Sequence, residues 1–223
     1  MRPMRIASVL KQIDADVIAL QEVVGMDEPE REHNQVHAIA DELEYDFRIG
    51  ENRRLRGAAY GNALLSRFPI VAEQNHDLTW RRHEPRGCLE VTLNAGAETL
   101  IQIYNVHLGT AFLERRYQAR RLSDVIRSDA NVSSRRIVLG DFNEWTRGLA
   151  THLLSLHLNS AEPEQLLGAA RSYPGVFPLL HLDHIYHDSA LRPKKIAIHR
   201  SRLALVASDH LPIVADFVTR LQD

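Results

Sequence analysis

The chain has 223 residues, of which 44% are hydrophobic and 25% charged, and its 27 basic and 29 acidic side chains leave a formal net charge of −2. This composition excludes intrinsic disorder, collagen and coiled coil, and it argues against a constitutive nucleic-acid binder, which usually carries a basic excess. A chain of this length buries roughly 70% of its unfolded surface on folding, so we predict one domain over residues 1–223.

The single cysteine, Cys88, excludes an intrachain disulfide and a cysteine-based zinc cage. No apolar run approaches the ~20 residues that span a bilayer, and the first residues do not read as a signal peptide. We therefore expect a cytoplasmic protein without stable membrane insertion.

Helical and strand-like hydrophobic patterns alternate along the first half of the chain. Apolar residues at helical spacing predict a helix over 6–13, and a short apolar run predicts a strand at 17–20. A second helix is predicted over 36–43. Strands then follow at 63–65, 70–72, 89–93 and 100–104, separated by turns rich in proline, glycine and asparagine.

The second half begins with a long amphipathic helix predicted over 113–126. A strand at 137–139 and a helix over 149–158 follow. The remaining predicted strands lie at 181–186, 203–206 and 213–218. Grouped strands with interspersed helices indicate an α/β or α+β fold with sheet as its scaffold.

Five of the apolar runs end in, or are broken by, side chains that bind metals or transfer protons. One such cluster alone is explained by a polar strand end, because Asp, Asn and Gly are turn formers. Five together predict one site, because strand ends at the same edge of a sheet converge. The clusters are Gln21-Glu22, Asn105-Val106-His107, Asp141-Phe142-Asn143, Asp183-His184 and Asp209-His210.

The chemistry of these clusters favours a hard divalent cation. Convergence would join four carboxylates, one amide and two imidazoles, and such oxygen ligands suit Mg²⁺ or Mn²⁺. Histidines beside such a metal suggest phosphoester hydrolysis, in which a base activates water and cations neutralise the phosphoryl oxygens.

Six short motifs follow one another at residues 16–23, 61–70, 105–109, 139–143, 182–185 and 208–212. The most specific are Gly140-Asp141-Phe142-Asn143 and the closing Ser208-Asp209-His210-Leu211-Pro212. In this order they resemble the signatures of the endonuclease/exonuclease/phosphatase superfamily, which includes DNase I-like and abasic-site endonucleases, sphingomyelinases and inositol-polyphosphate 5-phosphatases.

The resemblance implies an α/β fold, a four-layered α/β/β/α sandwich of two packed mixed sheets flanked by helices, with the active site at one edge. It implies Glu22 and Asp209 as metal ligands for Mg²⁺ or Mn²⁺. The catalytic residues that it implies are His107, Asp141, Asn143, Asp183 and His210.

Two further positions, Asn62 and Arg86, are candidate substrate-binding residues. Arg86 falls where family members carry a basic residue near the scissile phosphate, but an exposed turn arginine explains it equally well. Asn62 could orient the substrate or merely satisfy a strand end.

The family's fold normally begins with a strand that ends in an asparagine beside the metal, and this sequence starts in the helix that follows. We expect a start assigned too far downstream; a shortened sequence and a member that works without the strand are the alternatives. The resemblance also implies exposed strands that could self-associate.

The predicted function is divalent-metal-dependent hydrolysis of a phosphoester, as a phosphodiesterase or phosphatase, with water activated by the Asp183–His210 pair. The substrate could be a lipid, a small molecule or a nucleic acid. The alternatives are a DNA endonuclease or exonuclease of the same fold and a catalytically silent interaction protein.

Overall fold

The computed structural model describes residues 3–25, 34–96, 99–128, 135–161 and 171–219. Within these ranges the helices are α1 (Pro3–Ile13), α2 (Gln35–Leu43), α3 (Phe112–Ser128), α4 (Leu149–Ser155) and α5 (Ala204–Ala207). None of them is long and apolar enough to cross a membrane.

The strands of the first half are β1 (Val17–Gly25), β2 (Asp46–Leu55), β3 (Ala58–Ser66), β4 (Ile70–Asp77), β5 (Gly87–Asn94) and β6 (Leu100–His107). Those of the second half are β7 (Arg136–Asp141), β8 (Asn159–Ser160), β9 (Asp183–His187), β10 (Leu191–Ile198) and β11 (Ile213–Thr219).

Two sheet layers pack face to face between helices. One layer is a six-stranded mixed sheet in the order β4-β5-β6-β7-β9-β8, in which β6 and β7 are parallel. The other layer consists of the antiparallel sheet β1-β3-β2 and the antiparallel pair β10-β11. The four-layered sandwich predicted from the resemblance is therefore confirmed.

Alternation along the strands assigns each buried side chain to a layer, because neighbouring residues of a strand point to opposite faces. On β3, Ala63 and Leu65 pack with α1 and α2, whereas Leu64 packs between the sheets. On β6, Tyr104 packs with α3 and α4, whereas Ile103 packs between the sheets. The central strands β3 and β6 therefore bury both faces, which explains their nearly continuous apolar runs in the sequence.

The second layer is interrupted. Among the described residues, β1 pairs only with β3, and β11 pairs only with β10. A cavity of about 540 Å³ lies beside these two strands, and its apolar lining includes Val17, Ala19, Ile213 and Phe217. It extends to Asp183 and His210 at its polar end.

The structure corrects the predicted strand at 203–206, which is the short helix α5 (Ala204–Ala207). The Ser201 side chain accepts a hydrogen bond from the backbone N–H of Ala204, and the Ser201 carbonyl accepts one from Leu205. This capping begins a helical turn in a run too short for periodicity to distinguish helix from strand.

Three of the described strands escaped sequence prediction: β2, β10 and the two-residue strand β8. β2 carries charged residues along most of its length and is half-buried, so it lacks an apolar run. β10 contains Pro193, which is tolerated because it lies at a register shift in a strand whose pairing within the described residues is with β11.

Candidate active site

Three neighbouring strands of the six-stranded sheet, β6, β7 and β9, carry polar residues at the same end. His107 closes β6 and faces Asp141 at the end of the parallel strand β7. Asp141 in turn faces Asp183 at the start of the antiparallel strand β9. The predicted convergence of these three side chains follows directly from strand register.

Gly140 permits the close approach of the β7 backbone to the β6 backbone. Its φ is +137°, and a Cβ at this position would lie 1.9 Å from the carbonyl oxygen of Val106. Only glycine fits such a conformation against backbone, so the residue before Asp141 is dictated by the packing of β6 on β7.

Asp183 holds the imidazole of His210. The Nδ1 atom of His210 lies 2.8 Å from Oδ2 of Asp183, which leaves Nε2 as the free ring nitrogen. That Nε2 atom lies 3.8 Å from Oδ2 of Asp141. The arrangement is that of an acid–base histidine with a carboxylate to orient it.

Ser172 and Tyr173 support this pair and were missed from the sequence. Ser172 is fully buried, and its hydroxyl donates to Oδ2 of Asp183. The Tyr173 ring lies against the His210 ring, with 4.8 Å between centroids. No pattern around these two residues marks them, since their segment joins the site only through tertiary contacts.

Asn143 follows Asp141 in a left-handed backbone conformation, with φ of 50°. Its backbone N–H donates to Oδ1 of Asp141 at 2.8 Å, and its side-chain nitrogen donates to the Leu108 carbonyl at 2.8 Å. These bonds fix the Asp141 carboxylate and turn the Asn143 amide toward His107. The same conformation recurs at Glu22, with φ of 57°.

His107 is neutral, and hydrogen-bond donors face both of its ring nitrogens. Arg86 Nη1 lies 3.1 Å from Nδ1 of His107, and the side-chain nitrogen of Asn143 lies 3.3 Å from Nε2. A neutral imidazole accepts at one ring nitrogen, so these two donors compete for it. The Nε2 atom lies 3.6 Å from Oδ2 of Asp141. Burial, Arg86 and His210 lower the pKa of His107 to about 3.

Glu22 reaches the same cleft from the second layer. Its Oε1 atom lies 3.8 Å from Nη1 of Arg86 and 4.0 Å from Nδ1 of His107. The Glu22 side chain is 50% exposed, whereas those of Arg86 and His107 are 7% exposed. Glu22 thus lies at the solvent-exposed end of a row of side chains that continues through His107 to Asp141.

The charges in this row are coupled. Burial, followed by the charge of Asp183, raises the pKa of Asp141 to about 7. Burial opposes protonation of His210, but its hydrogen bond to Asp183 and the charges of Asp183, Asp141 and Asp209 raise its pKa to about 9. The site therefore holds more negative charge than its own cations balance.

The residues present fit a divalent cation. Ligand atoms of Asp141, Asp183 and His210 lie within 4.8 Å of one another. Hard oxygen donors beside an uncompensated carboxylate favour such an ion. Glu22 and Asp209 lie outside this group of three, so their assignment as metal ligands stays a prediction.

Asp209 and Asn62 are placed differently from the rest. Asp209 is exposed, and its backbone carbonyl accepts a hydrogen bond from Gly175 at 2.6 Å. Asn62 is fully buried, and its amide donates to the carbonyls of Gly87 and Asn105. Asn62 thereby ties the two sheets together near the site, and its substrate-binding role stays a prediction.

Asn105 is a second link between the sheets that sequence reasoning named only as part of a motif. Its side-chain nitrogen donates to the carbonyls of Leu20 and Ala63, and its oxygen accepts from Gln21. A buried amide at the end of an apolar strand was the available signal.

Comparison with known proteins identifies the family of this chain. Residues 2–210 match the endonuclease/exonuclease/phosphatase family. The chain belongs to this family. Its members hydrolyse phosphoesters and typically use divalent metals.

One curated relative and two solved structures illustrate the similarity. The chain is 32% identical to "Uncharacterized protein YbhP" of Escherichia coli K12, over 93% of this chain and 85% of that protein. A functionally unknown conserved protein of Enterococcus faecalis V583 matches with a TM-score of 0.80 at 16% identity, over 98% and 91% of the two chains. The mannosyl-6-phosphatase Bt3783 of Bacteroides thetaiotaomicron matches with a TM-score of 0.77 at 18% identity, over 97% and 90%.

Proposed function

We propose that this chain is a divalent-metal-dependent phosphoester hydrolase whose water is activated by the Asp183–His210 pair. The observation that carries the proposal is the 2.8 Å contact between Asp183 and Nδ1 of His210, with Nε2 directed toward Asp141. A fold neighbour named as a mannosyl-6-phosphatase supports phosphoester chemistry on this scaffold. Residues 1–223 would act as one domain, in the cytoplasm.

Glu22 and Asp209 would hold Mg²⁺ or Mn²⁺. When bound, such an ion would supply positive charge that neutralises phosphoryl oxygens and the carboxylates around it. The hydrogen bond and charge of Asp183, followed by the charges of Asp141 and Asp209, raise the pKa of His210 to about 9. Positive charge beside Asp141 and Asp209 would oppose that protonation and favour the neutral ring.

Neutral His210 then takes a proton from the attacking water at Nε2 while Nδ1 continues to donate to Asp183. The resulting imidazolium is stabilised by that carboxylate, which is the established logic of such pairs. Ser172 donates to the same Asp183 oxygen and keeps it oriented.

His107 and Asn143 lie beside Asp141 and would contact the phosphoryl group. His107 would do so as a neutral ring rather than as a cationic acid, because its pKa is about 3. Arg86 holds the His107 ring in place and adds a positive charge behind it.

A substrate panel tests the proposal. It contains bis-p-nitrophenyl phosphate, p-nitrophenyl phosphate, abasic DNA, sphingomyelin, phosphatidylglycerol and inositol phosphates, each with Mg²⁺, Mn²⁺ or EDTA. We expect hydrolysis of at least one with metal and none with EDTA.

A matched pair of variants distinguishes the site from the rest of the protein. His210→Gln should abolish metal-dependent hydrolysis, whereas His199→Gln should not, since His199 contacts Gln12 and Ser201 instead. Hydrolysis that survives EDTA and His210→Gln alike would contradict the proposal.

A further inference from the structure

The five most exposed large apolar side chains of the described residues are 62–72% exposed, and the next, Leu156, is 61% exposed. Large apolar side chains left in water together mark an interaction surface. We call these five side chains the apolar rim: Phe112, Leu113, Trp145, Val176 and Phe177.

The residues of the apolar rim lie on chain segments that flank the candidate active site. Phe112 and Leu113 open α3 a few residues after His107, and Trp145 lies two residues after Asn143. Val176 and Phe177 precede Asp183, and the backbone of Gly175 is bonded to that of Asp209.

Strand register places the three chain segments that carry the apolar rim at the same end of the six-stranded sheet. His107, Asp141 and Asp183 are neighbours in the sheet, so the chain leaves or enters the sheet there beside the cleft. Leu156 lies at the opposite end of the sheet. It follows α4 and precedes β8, where Asn159 pairs with His187 at the far end of β9 from Asp183.

Arginines accompany the aromatic rings at the active-site end. The Arg116 guanidinium lies over the Phe112 ring at 5.6 Å. Arg81 lies over Trp80 at 4.8 Å, in a loop that leads into β5 beside the end of β6. Arg82 and Arg171 are exposed in the same set of loops.

Several acidic side chains on these described loops are buried or paired with arginines. Glu114 and Glu144 are buried, with Glu144 capping the start of α4. Glu84 is exposed but paired with Arg53 and Arg86. Asp77, Asp209 and the cleft carboxylate Glu22 stay exposed. The rest of the described rim presents apolar groups and cationic groups together.

We infer that the apolar rim docks on an anionic phospholipid surface and that the site hydrolyses phosphoesters presented by that surface; the second part rests on the proposed function. Apolar and aromatic side chains enter the acyl boundary while neighbouring arginines meet anionic headgroups. The cleft then faces the headgroup phosphates.

Aliphatic rim residues favour lipid over single-stranded nucleic acid. Arginine and aromatic rings also suit base stacking, but Leu113 and Val176 offer no ring face to a base. Both would gain from contact with hydrocarbon.

Vesicle flotation in EDTA tests docking without turnover. The protein is mixed with phosphatidylglycerol-containing vesicles or with pure phosphatidylcholine vesicles. We expect the protein to bind the anionic vesicles. Phe177→Ser and Trp145→Ser should each bind them at least about tenfold more weakly, since each removes one aromatic side chain that the membrane would bury. Leu156→Ser, equally exposed but at the opposite end of the sheet, should bind like the unchanged protein.

Four outcomes would overturn docking: no binding to anionic vesicles, equal binding to both vesicle types, equal loss in Leu156→Ser, or rim-dependent binding of a single-stranded oligonucleotide in place of vesicles. Hydrolysis of soluble bis-p-nitrophenyl phosphate is measured separately. Docking without metal-dependent hydrolysis of any substrate in the panel would remove the proposed function and the second part of this inference but leave docking. Activity without docking would remove this inference alone.

The second part of the inference is that the site hydrolyses phosphoesters presented by the membrane surface. Once docking and activity on a soluble substrate are both established, release of headgroup or phosphate from the anionic vesicles tests it. We expect Phe177→Ser to lower this release by about the same factor as vesicle binding. Failure to release either product from the anionic vesicles would overturn it.

Discussion

The two sheet layers contribute differently to the candidate active site. The six-stranded layer supplies His107, Asp141 and Asp183 from adjacent strands, and each is fixed by register. The second layer supplies Glu22, which is half-exposed and 3.8–4.0 Å from its nearest charged neighbours. The difference suggests that the proton-transfer groups are preorganised by the fold and that the Glu22 side is completed by a ligand.

The layers also differ at their edges. β4, an edge of the six-stranded sheet, carries Glu73, Gln74, His76 and Asp77, and such polar edges resist pairing with other strands. β1 and β11 border the apolar cavity instead.

The largest expected effect concerns Asp141 of the six-stranded layer and His210, which precedes β11 and is held by Asp183 of the six-stranded layer. His210→Ala and Asp141→Ala should each lower metal-dependent phosphodiesterase activity by roughly 10²-fold or more, the scale of losing an acid–base group. Glu22→Gln should instead raise the metal concentration needed for half-maximal activity. Steady-state rates across a Mg²⁺ titration measure both, with melting temperatures to check folding.

A Glu22 variant with normal metal dependence and a 10²-fold lower maximal rate would contradict this division between the layers. So would full activity in either of the other two variants.

Sequence reasoning reached the six-stranded layer most completely, because its strands are apolar runs that end in polar clusters. The Gly140-Asp141-Phe142-Asn143 motif carries its own geometry: a glycine that only fits against backbone and an asparagine bonded to the aspartate before it. Local signals of this kind can be read from one chain.

The contacts that eluded sequence reasoning are tertiary. Ser172 joins the site through a bond to Asp183 that no spacing predicts. Likewise, the exposed fraction of Glu22 and the tautomer of His107 depend on neighbours from distant strands. The strand β2 was hidden because burial against α2 and β3, rather than an apolar run, makes it a strand.

The second prediction concerns the link between the layers. Asn105→Ala should cost about 1–3 kcal/mol, because it leaves the Leu20 and Ala63 carbonyls without their side-chain donor. At roughly 2–4 °C per kcal/mol, the melting temperature falls by several degrees. Gln21→Ala, which removes the half-buried partner, should cost less; an equal or larger cost would show that Asn105 is not the link.

The third prediction concerns the open edges, for which we propose self-association through β1 or β11. Sedimentation velocity should show association that rises with concentration. Ala215→Lys places a charge beside the cavity and should weaken association about tenfold, as inward charges do at sheet edges. Val71→Lys is the control on β4. A monomeric unchanged protein, or equal weakening by both variants, would refute the proposal.

The smallest expected effect is a coupling between pH, metal and stability. The pKa of Asp141 is raised to about 7 and that of His210 to about 9, so in the folded protein both groups bind protons more tightly than in the unfolded chain. The stability that they contribute is present at low pH and is lost as pH rises through 7 and then 9. In EDTA, the melting temperature should therefore decline more in the unchanged protein than in Asp141→Asn as the pH rises from the ordinary pKa of Asp141, 3.8, to its raised value of about 7. Mg²⁺ competes with these protons, so it should raise the melting temperature by about 2–4 °C more at pH 8 than at pH 5.5. An equal rise at both pH values would show that the cation does not bind beside Asp141.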